Sequence, residues 1–310
     1  MSGWHDIFLQ GALDNFIGMR SRGRPARLVV GPWEHQSFSG SLSASRVGEV
    51  NFGLEAFLLP GGRTVADLQL EWYDHWLKGE PATDAHESQV LVFVMGVNQW
   101  RVESDWPLAR ERPTPLYLAD QSRLEWTSPA LERSESSYVY DPANPVITRG
   151  GNTVMSPEFP AGVFDQRDAE VRDDVLVFTS APLDADTEIT GRVRAILYAA
   201  TDGPSTDWIV RLCEVDAAGV SRNLVDGITR VNTKPNRIDE VEIDLWSTSV
   251  VIKAGNRLRV QVTSSNFPRW DRNLNTGEPS IGGTAIRVAN QRILHDREHR
   301  SRIILPLIPT

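Results

Sequence analysis

From about residue 86 to the C-terminus, apolar residues recur with a period of two, and no other feature of this 310-residue chain constrains its fold as tightly. Glu240–Trp246 sets Val241, Ile243 and Leu245 against Glu240, Glu242 and Asp244. Arg257–Val262 sets Leu258, Val260 and Val262 against Arg257, Arg259 and Gln261. Successive strand side chains point to opposite faces, so this alternation describes strands with one buried and one wet face, the habit of antiparallel sheets. Val90–Val94, Glu188–Ala199 (inward candidates Val193, Ala195 and Leu197), Asp207–Val215 and Arg302–Ile308 read as further strands. Many short strands broken by Gly, Pro, Asn and Asp predict an all-β region, a β-sandwich or jelly roll, over residues 86–310.

Residues 1–85 read differently, as α/β. Ile7–Met19 places Ile7, Phe8, Ala12, Leu13, Phe16 and Ile17 at helical spacing, with Asp6 positioned to cap the N-terminus. Arg27–Val30 is a short apolar run leading into Gly31-Pro32, a buried strand followed by a turn. Asp67–Leu77 returns to helical spacing, and Gly79 supplies a stop past Lys78. The boundary between the two regions is expected within Gly79–Ser88. One strand and two helices cannot cover both faces of a parallel sheet. The first region therefore reads as incomplete: a fragment, or a segment that packs on the β region or on a partner chain.

Composition narrows the function classes. A formal net charge of −9 argues against nucleic acid and against an anionic membrane surface. No stretch approaches the roughly 20 apolar residues of a membrane helix. Cys213 is the single cysteine, so neither an internal disulfide nor a cysteine-based zinc site is available, and its apolar surroundings mark it as a core residue. His295 and His299 stand four apart in a β-rich segment, unlike a zinc helix, and read as a solvated turn. No metal or other cofactor is expected. MSGWHDIF lacks the basic and apolar regions of a signal peptide, and low cysteine content suits the cytoplasm, the periplasm or secretion equally, so the compartment stays open.

Two motifs carry chemistry: Gly3-Trp4-His5-Asp6 and Gly31-Pro32-Trp33-Glu34-His35. A carboxylate opening a helix, followed by a strand and then a histidine, is the order in which an α/β-hydrolase presents its triad acid and base. The carboxylate would orient the imidazole, and the imidazole would take and return a serine proton. The nucleophile is missing from this reading. Gly40-Ser41-Leu42-Ser43 comes after His35 and follows no strand, and Ser37, Ser39 and Ser41 lack the strand–turn–helix elbow.

The strings GWHDIF, LVVGPWEHQ and EWYDHWLKG together resemble the cocaine esterase and X-Pro dipeptidyl-peptidase hydrolase family, which includes α-amino-acid ester hydrolases and acylases. Ser265–Gly277 and Ala289–Pro306 resemble that family's C-terminal jelly roll. The resemblance implies the C-terminal end of an α/β-hydrolase domain followed by a galactose-binding-like jelly roll. It matches Asp6 to the triad acid, His35 to the base and Phe8 to a position that lines the acyl pocket in some relatives; a core aromatic under the helix is the plainer reading of Phe8. It implies hydrolysis of a small ester, amide or short peptide through an acyl-enzyme, with the serine on an upstream half absent here, so that the chain alone is inactive. Two alternatives stay open. One is a split enzyme whose serine half comes from another chain. The other is a non-catalytic binding module, with Trp208, Trp246 and Trp270 as a surface strip. Asp271, Arg272 and Asn273 read as structural or interfacial, and a homo-oligomer stays open.

Overall fold

The protein is described here by a computed structural model, which covers residues 1–35, 45–81, 90–279 and 281–309. Ser37, Ser39, Ser41, His86 and most of the expected boundary lie outside the described residues.

The N-terminal elements are β1 (Ser2–Gly3), α1 (Leu9–Ser21), β2 (Leu28–Gly31), a small hairpin of β3 (Arg46–Val47) and β4 (Val50–Asn51), and α2 (Val65–Tyr73). Thr64 and Asp67 form a reciprocal capping box on α2, and a wider turn over Asp74–Lys78 carries the helix to Gly79, the expected stop. β5 (Val90–Val94) and β6 (Gln99–Glu103) follow. β1, β2, β5 and β6 form one four-stranded sheet in that order. β1 pairs with β2, and β2 with β5, in parallel; β6 returns antiparallel. The first region thus has more than one strand. β1 is two residues long, too short to show a period. Val90–Val94 is buried at every position, the mark of an inner parallel strand rather than of a half-wet sandwich strand.

The remaining chain is mostly sheet: β7 (Arg112–Ala119), β8 (Arg123–Glu125), β9 (Glu135–Tyr140), the short α3 (Arg167–Glu170), β10 (Leu176–Ser180), β11 (Thr187–Thr201), β12 (Ser205–Val215), β13 (Ser221–Asn232), β14 (Asp239–Ile252), β15 (Arg257–Thr263), β16 (Ala289–Leu294) and β17 (Arg302–Ile308). They hydrogen-bond as one eleven-stranded sheet that wraps a single apolar core as a β-sandwich. Val193, Ala195 and Leu197 of β11, Val241, Ile243 and Leu245 of β14, and Leu258, Val260 and Val262 of β15 all enter that core, as the alternation requires. Cys213 is buried, and burial pushes its thiol up to about 12.

Three expectations change. Trp208 is a core residue, whereas Trp246 and Trp270 flank the guanidinium of Arg269, at 5.8 and 4.3 Å from their ring centroids, so the three tryptophans make no surface strip. His295 is buried, not solvated: its ring nitrogens meet Ser134 Oγ and Ser136 Oγ at 2.9 Å each. Phe8 is 62% exposed and is no core aromatic. Asn273 is structural as read, its amide donating to Asp207 Oδ1 at 2.9 Å.

Candidate active site

Parallel pairing sets Gly3 beside Gly31, and the chain continues from both strands at the same, C-terminal, end. That end is where open α/β sheets place their ligands. The two loops that follow lie against each other: Trp4 N donates to Gly31 O at 2.8 Å and His5 N to Trp33 O at 3.0 Å. The approach requires glycine at position 3, where a Cβ would stand 2.1 Å from Trp33 O. Trp33 is anchored beneath the strand end by Nε1 donating to Ala56 O at 2.8 Å.

The loops bring Asp6 and His35 together. His35 Nδ1 lies 3.2 Å from Asp6 Oδ1; the carboxylate side chain is 4% exposed and the imidazole 40%. Asp6 Oδ1 also accepts from Phe8 N at 3.0 Å. Asp6 is not the cap of α1. The helix begins at Leu9, Phe8 holds the N-cap position without a side-chain bond, and the carboxylate turns toward His35 instead. An ionised carboxylate only accepts hydrogen bonds, so a proton on Nδ1 completes the contact and leaves Nε2 as the basic nitrogen. The Phe8 ring stands edge-on to the imidazole, 5.0 Å between centroids at 67°. Asp6, Phe8 and His35 line a cavity of about 480 Å³ together with Val65, Trp72 and Tyr73 of α2.

Two neighbours received no role in the sequence reading. His5 is 1% exposed, stacks on Phe52, and finds no hydrogen-bond partner among the described residues at either ring nitrogen; burial pushes it down to about 4. Asn152, from the long connection between β9 and β10, donates through Nδ2 to Trp4 O at 2.9 Å and Asp6 O at 3.0 Å. No local signal announces Asn152, because its partners lie almost 150 residues away in the chain.

Residues 83–304 match the family model for the X-Pro dipeptidyl-peptidase C-terminal non-catalytic domain. The chain belongs to the X-Pro dipeptidyl-peptidase and cocaine esterase family. It matches the family's C-terminal part. Cocaine esterase from Rhodococcus sp. (strain MB1 Bresler) is 35% identical across 99% of this chain, which covers 55% of that relative. A crystal structure of an aminopeptidase from a marine sediment Thaumarchaeota archaeon superposes with a TM-score of 0.86 at 29% identity, over 99% of this chain and 54% of the other. An α-amino acid ester hydrolase superposes at 0.81 and 26% identity, over 98% of this chain and 54% of that one. The chain thus spans about half the length of the relatives it matches. Within this family of esterase-type hydrolases, Asp6 and His35 fall before the stretch matched by the non-catalytic domain.

Proposed function

We propose that this chain carries the acid and the base of a Ser-His-Asp hydrolase and that the nucleophilic serine belongs to an upstream α/β-hydrolase half, supplied in cis or in trans. The observation that carries the reading is the contact of Asp6 with His35 at the adjoining ends of two parallel strands. In this reading residues 1 to about 85, with their sheet partners, are the last units of an α/β-hydrolase sheet, and the sandwich is the family's jelly roll. Asp6 holds the His35 tautomer. His35 Nε2 takes the serine proton as the hydroxyl attacks the carbonyl carbon of a small ester, amide or short peptide. The same nitrogen returns that proton to the leaving group, and the acyl-enzyme is then hydrolysed by water that His35 deprotonates. Phe8, exposed and edge-on to the imidazole, would line the pocket for the acyl group.

The surface around the pair supports a missing half. Leu70, Tyr73, Trp76 and Leu77 are each at least half exposed on and just after α2. Large apolar side chains left exposed this close together in the chain suit an interaction face. Nearby, Arg27 lines the same cavity with Nε and Nη1 buried and without hydrogen-bond partners among the described residues.

Labelling of the purified chain with a fluorophosphonate serine probe, read by mass spectrometry, tests the reading. No labelled serine is expected. A single labelled serine that stops reacting in His35→Ala would overturn it, because the nucleophile would then lie within these residues.

A further inference from the structure

We propose that Asn152 is a positioning residue for Asp6: its side-chain amide ties the Trp4–Asp6 loop to the sandwich region and keeps the carboxylate turned toward His35. The inference rests on the acid–base reading of that pair. Two main-chain carbonyls, Trp4 O and Asp6 O, converge on the single atom Nδ2 at 2.9 and 3.0 Å. Satisfying both requires two hydrogens on one buried donor, which a primary amide has and an alcohol or carboxylate lacks. Asn152 is 4% exposed, so water cannot readily substitute for it.

Elsewhere the loop is held to its own four-stranded sheet, where Trp4 Nε1 also donates to Phe93 O of β5 at 2.7 Å. Trp4 N and His5 N donate to the end of β2, and Asp6 N donates to Gly3 O at 3.0 Å. These bonds fix the main chain up to Asp6 but leave its carbonyl, one bond from the Cα that carries the carboxylate, to Leu9 N at 3.1 Å and to Asn152. Asn152 adds the tie from the connection between β9 and β10.

Asn152 is in turn rigidly placed. Gly151 exchanges both main-chain bonds with Gly162, at 2.7 and 3.0 Å, and Thr148 is bonded to Asn266 O at 3.0 Å and Phe267 O at 2.7 Å. Gly151 has a φ of 84°, and a Cβ there would stand 2.8 Å from Arg269 Nη1. The connection between β9 and β10 is thus pinned to the sandwich just before Asn152, and the sandwich region acts on the acid through one side chain.

The test reads which ring nitrogen of His35 carries the proton, by two-bond proton–nitrogen spectra of the whole chain at a pH where the imidazole is neutral. The wild-type chain should hold the proton on Nδ1, and Asp6→Asn should shift it toward Nε2. Asn152→Ala should produce at least half of that shift, with Asn152→Ser as the milder variant if the alanine chain folds poorly. Asn273→Ala, which removes a buried amide deep in the sandwich, should lower stability and leave the His35 tautomer unchanged. Wild-type tautomer in both Asn152 variants would overturn the proposal. So would a wild-type chain without the Nδ1 proton, because there would then be no acid–base geometry to position. Hydrolysis is not read, so a pair that proves inactive and an Asn152 without effect give different results.

Discussion

His35 Nδ1 stands 3.2 Å from Asp6 Oδ1, and the two side chains differ tenfold in exposure, 40% against 4%. The buried partner is the one held by main-chain bonds, and the exposed partner is the one that would have to meet a substrate. That asymmetry is what an orienting acid and a proton-shuttling base need.

With a serine-bearing half supplied, Asp6→Asn and His35→Ala should each lower kcat by on the order of 10⁴-fold while leaving KM within a few-fold, because both act on the transition state. Steady-state kinetics on a chromogenic ester checks this. A loss confined to KM would assign both residues to binding instead.

His5 should make the fold acid-sensitive. Its imidazole is disfavoured as a cation in the folded chain, at about 4 against the ordinary 6.5. Above pH 6.5 it is neutral in both states and contributes no pH dependence. As pH falls below 6.5 the unfolded chain gains the proton first, and stability declines by about 3 kcal/mol down to pH 4, then levels off. Urea unfolding at pH 7.5 and pH 4.5 should show this part of the decline in the wild type and not in His5→Phe. Equal declines in both would assign the acid sensitivity elsewhere.

Asp226 is the carboxylate shared by two buried arginines. Arg211 lies 3.5 Å away, Arg269 makes a close ion pair with the other carboxylate oxygen, and all three side chains are at most 6% exposed. Asp226→Ala would leave two guanidinium groups buried without a counter-charge and should cost about 3–5 kcal/mol. Equilibrium unfolding measures the loss, and a change below 1 kcal/mol would show that the arginines find other partners.

Much of the sandwich was legible in the sequence because alternation is a local property: Val241, Ile243 and Leu245 announce their buried face within seven residues. Asp6 and His35 were legible as candidates as well, from the order of a carboxylate opening a helix, a strand and then a histidine. Strand pairing was not. Val90–Val94 could have joined either sheet, and only tertiary pairing assigned it to β2. The direction of the Asp6 carboxylate was not legible either. Asp before a helix reads as a cap, yet here His35 and the Phe8 amide compete for it and α1 begins without it. What the sequence determined by itself was which faces are apolar and which residues could do chemistry, because side-chain type and short-range period decide both. What the tertiary structure alone decided was the burial of His5 and His295 and the reach of Asn152 to the acid loop. Those depend on which surfaces meet from distant parts of the chain, and no local pattern encodes that.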